Sequence, residues 1–223
     1  MEDAKPSMSQ VRVPIFVNCC FLGLMFAKFL LKALKNVILH AVADGFARSE
    51  AAVAILVQRE KNAKRNYVRI LNIRSNTDGY KPEGVMYPNR HEQERLFRES
   101  YQQVGIDPKT VNYIETHGTG TPTGDPEELN SMHTVFCNGN TRDKPLLLGS
   151  VKTNIGHTEA AAGLCALAKV IGTIQTGKIP PNLHFKKPKP EEEHLFDGTM
   201  QVWPENFALA KKIVQVQSLQ YII

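Results

Sequence analysis

Residues 111–126 read VNYIETHGTGTPTGDP. Val111 to Thr116 is a short, largely apolar run that reads as a strand. It leads into His117 and a turn rich in small residues: Gly118, Thr119, Gly120, Thr121, Thr123 and Gly124. Asp125, Pro126 and Glu128 then have the spacing of a helix start. Asp125 suits the cap, Pro126 the first helical position, and Glu128 lies three residues beyond the cap. A strand that passes through a glycine-rich turn into a helix predicts an α/β layered fold. His117 falls at the strand's carboxyl end, where open α/β sheets place their sites.

A second stretch repeats the arrangement. Leu146 to Val151 (LLLGSV) reads as a strand, and residues 152–163 (KTNIGHTEAAAG) form a loop passing into an alanine-rich helix that ends near Gly177. The loop holds Lys152 and His157. A histidine at one strand end is as often structural as chemical. Two imidazoles and an ammonium on separate strand-to-helix turns make a charge-stabilising set suited to carboxylate or enolate chemistry. The glycines permit close backbone approach, and the threonine hydroxyls both donate and accept. The GK[ST] ending of a phosphate-binding loop is missing, which argues against nucleotide binding.

Outward from these motifs, Ala51–Val57 (AAVAILV) predicts a buried strand and Tyr67–Ile73 (YVRILNI) a second one. Residues 76–84 carry turn chemistry. Phe97, Tyr101 and Val104 recur at helical spacing over 91–104, ahead of Gly105. The helix after Asp125 is expected to run to about Cys137, and Leu183–Phe185 to form a short strand before a surface loop over 186–198. Thr123, Asp125 and Pro126 serve the loop and helix start in this reading. Arg48 and Glu50 form a structural pair, and His40, His91, His133, His184 and His194 are ordinary surface or core residues.

Composition excludes several classes. Of 223 residues, 42% are hydrophobic and 22% charged, the balance of a globular protein. The net charge of +5 is spread along the chain and interrupted by acids, which fits a solvated surface or the docking of an acidic partner. No zinc-finger, RNP or helix-turn-helix pattern supports nucleic-acid binding. The four cysteines, Cys19, Cys20, Cys137 and Cys165, include no CxxC pair and no zinc spacing, so no metal site is expected and a reducing, cytoplasmic setting is the default. Val13–Ala27 (VPIFVNCCFLGLMFA) is uncharged but shorter than the roughly 20 residues a spanning helix needs. A buried or interfacial helix is preferred there over an anchor, and Glu2 and Asp3 speak against a signal peptide.

HGTGTPTGDP and KTNIGHTEAAAG, in this order and separation, resemble the two histidine motifs of β-ketoacyl synthases. ADGFARSEAAVAILV, RSNTDGYKPEGVMYP and PPNLHF are similar to the ketosynthase domain of animal-type fatty acid synthases, and polyketide synthases share the likeness. The resemblance covers roughly residues 43–203. It implies a thiolase-like αβαβα sandwich and a decarboxylative Claisen condensation. In that reaction an acyl group waits as a cysteine thioester, and malonyl arrives on the phosphopantetheine arm of acyl carrier protein. No cofactor is bound directly. The implied catalytic residues are His117 and His157, which face the malonyl thioester carbonyl, and Lys152, which sets the local field. Thr119 and Thr121 would hydrogen-bond the phosphopantetheine arm. Asp125 supports the loop, and Glu159 is the expected ionic partner of Lys152. Acyl carrier protein is the expected partner, and a homodimer is typical of the family.

The sequence also departs from that pattern. No ACSSS-like motif is present. Cys19 and Cys20 sit in apolar FVNCCFLGL, a setting that raises a thiol's pKa, while Cys137 and Cys165 fall in helices. No nucleophile is assigned. A GFGGSN-like segment after residue 203 is missing. The expected organisation is a divergent apolar segment over 1–42, a partial ketosynthase domain (the C-terminal half) over 43–203, and a divergent tail over 204–223. Leu31, Leu34 and Ile38 would cover apolar surface left by the partial domain. Such a fragment should not condense acyl chains alone. The competing readings are a non-catalytic protein that binds acyl carrier protein or an intact synthase, and a small protein tethered to a membrane through residues 13–39.

Overall fold

A computed structural model describes residues 15–18, 45–84, 87–137, 142–183, 185–188, 190, 192, 198–202, 207–208 and 213–216. Its centre is a four-stranded sheet in the order β6–β4–β3–β8, with every neighbouring pair parallel. The strands are β3 (Val111–Glu115), β4 (Leu146–Gly149), β6 (Met200–Val202) and β8 (Ile213–Val216). Parallel neighbours need crossovers, and the helices supply them. Between β3 and β4 runs α2 (Gly124–Met132), continued by a π-helical turn over His133–Cys137. Between β4 and β6 run the single turn α3 (Lys152–Ile155) and α4 (Ala162–Thr176).

Both faces of the sheet are covered, which is why LLLG is buried at every position. The two-residue alternation of a strand divides the side chains. Ile114 and Leu148 join Phe97, Leu129, Met132 and Phe136 on one face; Tyr113 and Leu147 meet Val170 and Ile179 on the other. The first face is closed by α1 (Arg90–Val104), whose Asn89 carboxamide oxygen accepts the amides of His91 and Glu92 at 3.0 and 3.4 Å. Gly105 ends it in a left-handed conformation, as its position after the apolar pattern predicts. Phe97 and Tyr101 meet Phe136 edge-on, with ring centroids 5.2 and 5.4 Å apart. Such pairs add about 1 kcal/mol each beyond area burial.

The periphery corrects several expectations. The apolar run at 51–57 forms a strand only as β2 (Ala54–Val57), and it is not buried: Leu56 and Val57 are 50% and 53% exposed. Its partner is β1 (Ile15–Asn18), antiparallel, so part of the run expected to be helical is extended. Residues 19–44, with Cys19, Cys20, Leu31, Leu34, Ile38 and His40, lie outside the described residues. No ladder strand forms over 67–73; residues 72–76 are instead a strap along α1. Asn72 donates to Ser100 O at 2.9 Å, Asn76 to Glu92 O at 2.8 Å, and Arg74 pairs with Glu99 at 2.5 Å. Leu183 and Phe185, expected in a strand, are in none, while 184 lies outside the described residues; β5 (Lys178–Ile179) forms earlier and pairs with β7 (Phe207–Ala208). The expected divergent tail thus supplies β7 and β8. No helix among the described residues is long and apolar enough to cross a membrane.

Candidate active site

The first turn hangs from two carboxylates. Glu128 accepts the His117 amide at 2.7 Å with one oxygen and the Gly118 amide at 2.8 Å with the other. Asp125 accepts the Gly120 amide at 3.0 Å. Both acids lie in the opening turns of α2 and are buried. The predicted capping arrangement is therefore revised. The cap position is Thr123, without a side-chain bond, and Asp125 and Glu128 reach back to the loop. A strand end followed by a tight turn leaves successive amides pointing one way, and buried amides need acceptors. Thr121 Oγ1 accepts the Gly124 amide at 3.0 Å and lies 3.3 Å from Thr119 Oγ1.

The second turn hangs from the backbone. His157 N donates to Ala47 O at 2.8 Å, and Ser49 N donates to His157 O at 2.9 Å, a parallel bridge across Arg48. Gly156 makes this approach possible. Its φ is +82°, and a Cβ there would lie 3.0 Å from both Ala47 O and Ser49 Oγ. The Phe46 ring packs on His157 with centroids 4.8 Å apart. Residues 46–49 are thus part of the site, a role their mixed apolar and charged composition did not signal. Glu159, the one non-glycine residue of positive φ (+49°) among the described residues, donates its amide to His157 Nδ1 at 2.9 Å. With Nδ1 accepting, the proton of the neutral ring sits on Nε2.

The fold brings the two histidines together. Their ring centroids are 5.4 Å apart at 86°, and the residues are 9% and 8% exposed. His117 Nδ1 is buried and takes no hydrogen bond among the described residues. Burial, then the charge of Lys152 and the neighbouring His157, holds the His117 pKa well below the usual imidazole range. Burial and Lys152 also lower His157, with Glu159 opposing. Both rings are neutral at neutral pH, each with one N–H to donate. Lys152 is itself buried, which lowers its pKa, while the carboxylates of Glu128 and Glu115 hold it up. Burial pushes Glu128 up to about 7 against the pull of the Gly118 and His117 amides.

Two expected partnerships are corrected. Glu159 pairs with Arg48 at 3.3 Å, not with Lys152, whose charge is balanced by Glu128 and Glu115. By the same contact Arg48 belongs to Glu159 rather than to Glu50. Cys137 lies in the core, and Cys165 is buried where it accepts from Thr158 Oγ1 at 3.5 Å. Among the described residues no three His, Cys, Asp or Glu side chains gather into a metal-binding set. The chemistry available is electrostatic: two neutral N–H donors and a buried ammonium can hold negative charge that develops on one oxygen.

The chain is similar to several known proteins. Residues 67–186 match the family described as "Beta-ketoacyl synthase, C-terminal domain". The chain is 45% identical over 140 residues to a fatty acid synthase of Anser anser anser, a match covering 63% of this chain and 39% of that protein. It is 44% identical over 154 residues to a phenolphthiocerol/phthiocerol polyketide synthase of Mycobacterium tuberculosis, covering 67% of this chain and 8% of the relative. Among solved structures, ketosynthase twelve of the bacillaene polyketide synthase of Bacillus amyloliquefaciens superposes with a TM-score of 0.74 at 30% identity, over 80% of this chain and 32% of that one. The ketosynthase from module 1 of the Bacillus amyloliquefaciens bacillaene synthase gives 0.72 at 34% identity, over 79% and 32%. The chain spans well under half the length of these relatives. Its partial parallel sheet with helices on both faces is part of the thiolase-like fold of ketosynthase domains. The chain belongs to the β-ketoacyl synthase family, as a member carrying that family's C-terminal domain.

Proposed function

We propose that this chain provides the two-histidine half of a condensing site that works on acyl thioesters in fatty acid or polyketide synthesis, with residues 43–203 as the working unit. The observation that carries the reading is the pair of neutral, buried imidazoles 5.4 Å apart beside Lys152. A malonyl thioester carbonyl placed between the rings accepts His157 Nε2–H and the N–H of His117. The bond from the α-carbon to the carboxylate breaks, CO2 leaves, and the electron pair forms an enolate whose oxygen carries the new charge. Preorganised donors at such an oxygen contribute about 3 kcal/mol each. Burial and the charge of Lys152 keep both rings neutral, and that charge favours the anion. In condensation, the enolate carbon then attacks an acyl thioester held on a cysteine. None of the four cysteines here stands in the expected nucleophile motif, so this chain alone should stop at the enolate, which takes a proton to give the acetyl thioester.

Thr119 and Thr121 are proposed to read the phosphopantetheine arm that carries the substrate. Thr121 already accepts the Gly124 amide, which presets the hydroxyl pair. The proposed partner is acyl carrier protein, the proposed assembly a homodimer, and the proposed compartment the cytoplasm. The purified chain mixed with malonyl-loaded carrier protein should release CO2 and form acetyl thioester, with no β-ketoacyl product. His117→Ala and His157→Ala should each cut that release at least ~100-fold. Release that ignores both substitutions, or none above background, rejects the catalytic reading. The missing nucleophile motif favours a second reading, a non-catalytic binder of carrier protein. It predicts capture of carrier protein that survives His117→Ala, without CO2 release by either protein.

A further inference from the structure

A second buried charge cluster lies behind the histidines, and the chemistry above leaves it unused. Glu115, the last residue of β3, is fully buried, and its carboxylate is divided between three elements. Oε1 accepts the Val151 amide at 2.5 Å, at the entrance to α3. Oε2 accepts the Tyr113 hydroxyl and lies 2.8 Å from Lys169 Nζ on α4, whose side chain is 5% exposed. Removing two charges from water is costly, and well-packed apolar residues could fill such a volume equally well. What apolar residues could not do is hold the Val151 amide or present a negative charge at this point. Val151 directly precedes Lys152, and Glu115 is two residues before His117. One carboxylate therefore ties the end of β3, two residues before His117, to the turn that carries Lys152.

We propose that Glu115, held in place by Lys169, is a positioning residue of the histidine site: it anchors the turn carrying Lys152 and places a buried negative charge at the start of that turn. The proposal rests on the condensing-site reading for its purpose, but its test needs no substrate. The groups acting on Lys152 are Glu115 from β3, Glu128 and Asp125 from α2, Cys165 from α4, and the two histidines. Glu115 and Glu128 oppose the burial that drives Lys152 toward its neutral form.

The deciding variant is Glu115→Gln combined with Lys169→Met, which removes both charges together and keeps the volume. A merely structural pair leaves the site unchanged in this variant. A positioning carboxylate does not. With [13Cε]lysine labelling, and Lys152→Met to assign the signal, the acid dissociation constant of Lys152 should rise about tenfold in the double variant. A folded double variant in which Lys152 titrates within about twofold of the parent overturns the proposal. Glu115→Asp covers the case in which the double variant does not fold. It keeps the ion pair but draws the oxygen back from Val151, whose amide should exchange hydrogen at least about tenfold faster, and an unchanged exchange rate there overturns the proposal as well. Because neither readout involves malonyl, failure of the decarboxylation assay alone rejects the function while leaving this positioning role standing.

Discussion

The two histidine turns end at the same place by different means. The His117 turn is held by side chains: Glu128 and Asp125 accept three of its amides from the start of α2. The His157 turn is held by main chain: Ala47 and Ser49 bridge it, and Gly156 permits their approach. The difference teaches where each is vulnerable. A turn held by buried carboxylates fails when the acceptor is removed. A turn held by backbone tolerates most side-chain changes and fails when something fills the space between the two bridged segments.

Glu128→Ala is the severest test of the first half of that contrast. It leaves two buried amides without acceptors, at about 1–3 kcal/mol each, so the expected loss is roughly 3–5 kcal/mol in chemical denaturation. A loss below about 1 kcal/mol would mean that the carboxylate does not hold the turn. Gly156→Ala tests the second half. The positive φ and the two 3.0 Å contacts predict a loss of about 2–3 kcal/mol, together with a changed His157 ring signal in NMR. An alanine variant as stable as the parent would show that the bridge to 47–49 is loose.

Acidification sharpens the comparison next. The folded-state pKa of His117 is depressed, so the unfolded chain takes up the proton first. Its contribution is fully present above the unfolded value of about 6.5 and is lost as pH falls below it, with a limiting slope of about 1.4 kcal/mol per pH unit. His117's own share should fall by about 1 kcal/mol between roughly pH 6.5 and 5.5, read as the difference between the parent and His117→Asn, because His157 acts in the same direction and Glu128, raised to about 7, in the opposite one. The smallest effect belongs to Arg48→Ala. Its pair with Glu159 is exposed to solvent, so the change should cost no more than about 0.5 kcal/mol and leave the His157 turn intact. A larger loss would show that the turn depends on side chains after all.

Much of the site could be read from the residue string alone. Glycine and proline placement marked the turns, apolar periodicity marked α1, and the pairing of HGTGT with KTNIGH pointed to His117, Lys152 and His157. Glu128 was visible too, but as a helix cap. Local spacing cannot tell whether a carboxylate turns toward its own helix or toward the preceding loop. Residues 46–49 lay in a family-like stretch but gave no signal of a part in the site, because that part is a backbone bridge to a turn far along the chain, at His157. AAVAILV and YVRILNI misled for a related reason. Apolar alternation reports what a segment could bury, whereas exposed Leu56, Val57, Leu71 and Ile73 show that burial needs a second layer over the same face.

By itself the sequence determined the α/β alternation, the two turns and the identity of the chemical groups, since these depend on backbone propensity and side-chain type over a few residues. Only the tertiary structure decided which groups meet: His117 against His157, Glu159 with Arg48 instead of Lys152, and Glu115 between Tyr113, Val151 and Lys169. Hydrogen bonds and buried charges act over a few ångströms, and proximity at that scale comes from how strands and helices stack, which local spacing along the chain does not encode.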